Sequence, residues 1–169
     1  IPNGRVIGID LDPYALELTS DRLGDRNNRL TLVHGNFRDL DQILTHNSVS
    51  AVDGILLDLG VSSMQLNTPD RGFSFLNSGQ LDMRMNPNQR VSALKIVNET
   101  KTEQLANIIY EFGEERWSRR IARAIERVRK TSKITTTQQL AETISAAIPR
   151  KKRYQRIHPA TRTFQALRI

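Results

Sequence analysis

The 169-residue sequence predicts an α/β fold, with a mostly parallel sheet in its first part and a basic, α-helical region after it. Three observations carry that prediction. Up to residue 60, short apolar runs alternate with helix-length segments, the pattern of βαβ units joined by right-handed crossovers. From Ser92 onward, apolar residues recur at helical spacing. Charge divides along the same line. Residues 1–100 hold 9 Lys/Arg against 12 Asp/Glu, a net of −3, and residues 101–169 hold 16 against 6, a net of +10. That asymmetry points to a polyanionic partner for the second part and to different chemistry in the first.

Composition narrows the class further. With 38% hydrophobic and 25% charged residues the chain is ordinary for a globular protein, and its length suffices for one core and a small second lobe. The absence of cysteine excludes disulfides and thiolate metal sites, and suits a reducing compartment. No apolar run approaches 18 residues, so no transmembrane span is expected. The start, Ile1-Pro2-Asn3-Gly4-Arg5, carries neither an initiator Met nor a signal-peptide pattern.

The elements follow in order. Arg5-Val6-Ile7-Gly8-Ile9-Asp10 reads as a strand ending in an acid. Asp12-Pro13 then supplies an N-cap and a first-turn proline for a helix over Pro13–Leu23. Leu30–Val33 is a second strand closing on His34-Gly35-Asn36-Phe37, Leu40–Leu44 a helix, and Ile55–Leu57 a third strand delivering Asp58 into a Gly/Ser loop. Residues 66–90 form a long loop whose Phe73, Phe75, Met83 and Met85 predict an ordered, packed segment. Thr100-Lys101-Thr102-Glu103 predicts a capping box before a helix with Leu105, Ile108, Ile109 and Phe112 on one face. Trp117, Ile121, Ile125 and Val128 form the apolar stripe of the next helix. Its other face carries Arg116, Arg119, Arg120, Arg123, Arg127 and Arg129. Thr136-Thr137-Gln138-Gln139 is a second capping box, and Pro149 ends the helix it opens. The predicted organisation is an α/β domain over 1–90, a helical basic domain over 91–157, and a return segment over 158–169.

Ligands of open parallel sheets bind beyond the carboxyl ends of the strands. Three such ends carry Asp10, Gly35-Asn36-Phe37 and Asp58. A strand-end carboxylate accepts hydrogen bonds from vicinal ribose hydroxyls, and an aromatic edge receives an adenine. The plain alternatives are that Asp10 caps a helix and Phe37 is a core residue in an ordinary turn. Because Pro13 follows Asp12, the cap falls to Asp12, leaving Asp10 for a ligand. If Asp10 ends the second strand of a doubly wound sheet, a first strand with its glycine-rich loop is expected before Ile1, so the chain reads as a piece of a larger protein. His34, His46 and His158 lack metal-ligand spacing, and no metal is expected. There is no P-loop and no nucleophile elbow. The arginine-rich helix and the cluster Arg150-Lys151-Lys152-Arg153-Tyr154-Gln155-Arg156 suit phosphate contact better than a merely solvated surface.

Five long motifs, in order, then become recognisable: Asp58-Leu59-Gly60-Val61-Ser62-Ser63-Met64-Gln65-Leu66, Arg71-Gly72-Phe73-Ser74-Phe75, Leu81-Asp82-Met83-Arg84-Met85, Gly113-Glu114-Glu115-Arg116 and His158-Pro159-Ala160-Thr161-Arg162-Thr163-Phe164-Gln165-Ala166. They resemble the bacterial small-subunit ribosomal RNA (cytosine-N4)-methyltransferases, the MraW or RsmH family, over essentially the whole chain. The resemblance implies a Rossmann-like class I methyltransferase core, its parallel sheet incomplete here, with an inserted α-helical substrate domain. It implies S-adenosyl-L-methionine as cofactor, N4 of a cytidine in the small-subunit RNA of the 30S particle as target, and a cytoplasmic protein. By motif, Asp10 would bind the cofactor ribose and Phe37 the adenine, with Asp58 and Gln65 around its methionine end and Asp58 at the reaction centre. The basic residues Arg119, Arg120, Arg123, Lys151, Lys152 and Arg153, with His158 and Arg162, would meet the RNA, and the loop from Arg71 to Met85 and the His158–Phe164 segment would sit near the incoming cytidine. Met64 stands where many members carry Pro, and the family's glycine-and-histidine cofactor loop and its closing strands fall outside these residues. Two other classes stay open at this stage. A nicotinamide-dependent oxidoreductase would use Asp10 in the same way, and a non-catalytic RNA-binding or assembly module would use only the basic part.

Overall fold

The computed structural model describes residues 4–24, 29–149 and 157–168. Among them are two strands and eight α-helices: β1 (Val6–Asp10), α1 (Pro13–Leu23), β2 (Leu30–His34), α2 (Leu40–His46), α3 (Ser63–Asn67), α4 (Ala93–Glu99), α5 (Thr102–Gly113), α6 (Ser118–Thr131), α7 (Thr137–Ala147) and α8 (Thr161–Arg168). Contacts divide the chain into two compact units, Ile1–Leu59 with Met85–Asn88, and Gly60–Arg84 with Gln89–Ile169.

In the first unit β1 and β2 pair in parallel, with register Val6↔Leu30 through Asp10↔His34. The Asp12 carboxylate accepts from Tyr14 N–H at 3.1 Å, and Pro13 opens α1 as expected. The third strand is a correction. Ile55–Leu57 forms no strand and is exposed, with Leu56 94% accessible. The physical reason is that a parallel strand exists only beside a neighbour. Among the described residues β1 and β2 pair only with each other, and none supplies a ladder for Ile55–Leu57. Among the described residues, none of the buried hydrophobic side chains belongs to this unit.

The second unit holds the core. α5 packs on α6 and α8, and α6 packs on α7. Leu105, Ile109, Ile121, Ile125, Leu140, Ile144 and Phe164 are fully buried between them. A Cβ on Gly113 would run into the Arg162 carbonyl, so glycine is what lets α5 and α8 approach. The Thr136 capping box of α7 is present, with Gln139 as its N3 partner. The box predicted at Thr100 is not. Thr100 instead terminates α4, its N–H donating to Ile96, and α5 starts from Lys101 without a side-chain cap.

Residues 60–84 contact the helices, a different grouping from a boundary at residue 90. Phe73, Leu81 and Met83 are buried, as an ordered loop requires. Main-chain bonds stitch the loop to the start of α7: Thr137 N–H to Gly79 O at 3.0 Å and Leu81 N–H to Thr135 O at 3.0 Å, with Gln80 and Thr136 forming an antiparallel bridge. Arg84 clamps its end, donating from Nε to Asp82 Oδ1 at 2.6 Å and from Nη2 to Oδ2 at 2.8 Å.

Two outcomes follow for stability. Gly113→Ala should destabilise the helical unit by roughly 1–3 kcal/mol, the usual cost of overpacking, in chemical denaturation; an unchanged midpoint would mean that α5 and α8 do not meet there. The hydrogen bond from Arg84 holds the Asp82 carboxyl below its ordinary value, against the opposing effect of burial. A depressed folded value stabilises above the ordinary carboxylate range and loses that effect as pH falls through the folded value. Asp82→Asn should therefore cost about 1 kcal/mol at neutral pH. The gap from the parent should close progressively below about pH 4, and a gap independent of pH would rule out the ion pair as its source.

Candidate active site

The edge formed by the carboxyl ends of β1 and β2 is the first part of the candidate site. Register places Asp10 opposite His34, and Gly35 N–H donates to Asp10 O at 3.0 Å, tying the two strand exits together. Asp12 is fully buried beneath α1, while Asp10 is exposed. Asp10 is not wholly free, since its Oδ1 accepts from Asp12 N–H at 2.8 Å. This bond orients the carboxylate and leaves Oδ2 toward solvent as an acceptor. His34 Nε2 lies 3.0 Å from Leu11 O, so it donates and fixes the loop after β1. The Asn36 side chain accepts from Arg38 N–H at 3.0 Å and starts a short 3-10 turn over Phe37–Asp39. That turn presents the Phe37 ring with 57% exposure. One edge thus offers a carboxylate acceptor for hydroxyl donors and an aromatic face, groups whose chemistry fits a nucleoside.

Asp58 belongs to the same contact unit and is exposed, and no hydrogen bond reaches it among the described residues. Gln65 falls in the other unit. It is buried and completes a capping box at the start of α3: Gln65 N–H donates to Ser62 Oγ at 3.2 Å, and Ser62 N–H donates to Gln65 Oε1 at 3.0 Å. Its amide oxygen therefore shapes the Gly/Ser loop.

The helical unit carries the basic residues. Arg119, Arg120 and Arg123 are exposed on α6. With Arg127 they lie within about 100° of arc over about 12 Å of helix. None of the four has a hydrogen bond or ion pair among the described residues. Arg127 belongs with the other three, and its signal in the sequence was its place four residues after Arg123. Two other cations of the segment are committed elsewhere: Arg129 donates to Val97 O at 2.8 Å, and Lys130 pairs with Glu126 at 3.0 Å. Arg129 is a correction to the predicted basic face, because at its position the helix turns it toward α4. Lys151, Lys152 and Arg153 lie outside the described residues. Arg162 is exposed and donates from Nη1 to Glu114 O at 3.1 Å.

The Gly113–Arg116 motif turns out to be a joint. Glu114 takes the left-handed conformation that ends α5. Buried Glu115 accepts from Trp117 N–H at 2.8 Å and turns the chain into α6. Composition alone cannot distinguish such a buried capping glutamate from a catalytic one. No described helix is long and apolar enough to cross a membrane, and no described cluster of three or more His, Cys, Asp or Glu could hold a metal ion.

Comparison with known proteins agrees with the motifs. The profile of the MraW methylase family matches residues 1–169. Proteins named ribosomal RNA small subunit methyltransferase H are similar to the chain at 51% identity in Syntrophotalea carbinolica, 51% in Geobacter sulfurreducens and 49% in Trichlorobacter lovleyi. Each alignment covers 99% of this chain and 54% of the relative, so the chain spans about half the length of the curated relatives it matches. On the extent of the profile match and on these identities, the chain belongs to the MraW methylase family.

Proposed function

We propose that this chain is part of an S-adenosyl-L-methionine-dependent methyltransferase that methylates N4 of a cytidine in small-subunit ribosomal RNA in the cytoplasm. The observation that carries the reading is the family match over residues 1–169. The names of the relatives support the RNA substrate. The proposed architecture is a Rossmann-like class I core with a helical, basic substrate region inserted in it.

The cofactor supplies an electrophilic methyl group. Asp10 Oδ2 accepts from the ribose hydroxyls, its carboxylate pre-oriented through Oδ1, and Phe37 covers the adenine. Gln65 supports the cofactor's methionine end through the loop that it shapes. Cytosine N4 is a poor nucleophile because its lone pair is delocalised into the ring. Positioning and acceptance of a hydrogen bond from the amino group are therefore the chain's main contributions. Asp58, exposed and without a competing hydrogen bond among the described residues, is the proposed acceptor. Direct displacement by the exocyclic amine, without a covalent enzyme–base adduct, is the proposed course. The target base must leave its stack to be reached. Arg119, Arg120 and Arg123, together with Arg127, contact phosphates, as do Lys151, Lys152 and Arg153.

Two measurements on the full-length protein test this reading. Asp58→Asn should lower single-turnover methylation by about 100-fold or more, the lower end of the range for loss of one well-placed polar group. Unchanged rate and unchanged cofactor affinity would remove Asp58 from both roles. Substituting Arg119, Arg120 and Arg123 together by Gln should weaken RNA binding. The slope of log affinity against log salt should then flatten by about 2, at about 0.7 per phosphate contact on a single strand. A slope that does not move would make the ridge a solvated surface.

A further inference from the structure

The second unit contains an aromatic assembly to which the proposed function so far gives no specific role. The His158 imidazole stacks on Phe75, with ring centroids 4.6 Å apart and planes tilted by 36°. Phe75 in turn meets the fully buried Phe164 edge-on at 4.7 Å. His158 is exposed, yet its ring is held from two sides. Nδ1 accepts from Ala160 N–H at 3.1 Å, which leaves the proton of the neutral ring on Nε2. His158 O accepts from Thr161 N–H at 3.0 Å at the entry to α8. The exposed imidazole thus rests on an aromatic backing, with Nδ1 engaged and Nε2 left as its donor.

A rigid, exposed aromatic face with an outward donor is what unstacked nucleobases bind. Stacking requires only a π-surface, and a fixed N–H reads an acceptor on the base edge. Arg162, four residues along, adds a cation to the same segment. We propose that His158, backed by Phe75 and Phe164, is a stacking platform for an unpaired nucleobase of the RNA. Its Nε2–H donates to a ring nitrogen or carbonyl of that base. This proposal rests on the RNA-modifying reading above.

The rival role is structural, since the same imidazole caps α8. Two variants of the full-length protein separate the roles. His158→Asn keeps a side-chain acceptor for Ala160 N–H and removes the ring. His158→Phe keeps a ring and removes the acceptor. The probe is a single-stranded oligoribonucleotide carrying one fluorescent cytidine analogue, whose emission is quenched on stacking. The platform predicts that His158→Asn loses about 10-fold or more in affinity together with the quenching, and that His158→Phe retains both to within about 3-fold. The opposite pattern, with Asn equivalent to the parent and Phe impaired, would reduce His158 to a cap. Two variants both equal to the parent would likewise overturn the platform. If the parent protein methylates small-subunit RNA while the variants show either of these patterns, only this inference fails. If the parent transfers no methyl group to that RNA, the underlying reading fails.

Discussion

The parallel pairing of β1 with β2 is the constraint from which the candidate site derives. A register of Asp10 against His34 brings two strand exits to one edge, and the bond from Gly35 N–H to Asp10 O locks them. Shifting either strand by one residue would turn its side chains to the opposite face. It would also separate the Asp10 carboxylate from the turn that presents Phe37. The two aspartates near this edge do different work because of burial. Asp12 is enclosed and caps a helix, while Asp10 stays at the surface with one oxygen directed and the other open. The same strand physics explains Ile55–Leu57, which has the composition of a buried strand and no neighbour to pair with among the described residues.

The helical unit is held by different means. Its buried side chains are contributed by α4–α8, by their connections and by the loop over 60–84. That loop is ordered chiefly by main-chain bonds to the start of α7 and by the Asp82–Arg84 pair. Gly113 permits the close crossing of α8, and Glu115 turns the chain into α6. These features place the arginines of α6 on one ridge. Ile121 and Ile125 on the opposite side are fully buried, so the helix cannot rotate the ridge away without exposing them.

Much of this was legible in the sequence, where local chemistry decides structure. The Asp12-Pro13 start of α1, the Thr136 capping box and the stop at Pro149 depend on residues within a turn of one another. So does the cap that Asp12 makes on α1. What was not legible depends on distant partners. The Thr100 box failed because the same threonine ends α4. Arg129 left the basic face because Val97 O lies within its reach. The capping box that Gln65 completes with Ser62 was likewise not read from the sequence. His158 was expected to meet RNA, whereas its stacking on Phe75 joins positions 83 residues apart in the chain, beyond any spacing rule.

The central claim is methyl transfer to the exocyclic amine of a cytidine in small-subunit RNA. Its most direct test uses the full-length protein, S-adenosyl-L-methionine carrying a labelled methyl group, and small-subunit particles lacking the modification. After transfer, the RNA is digested to nucleosides and analysed by mass spectrometry. The account predicts label in N4-methylcytidine and in no other nucleoside. Label at a ring carbon or a ribose hydroxyl, or no label in the RNA, would contradict it.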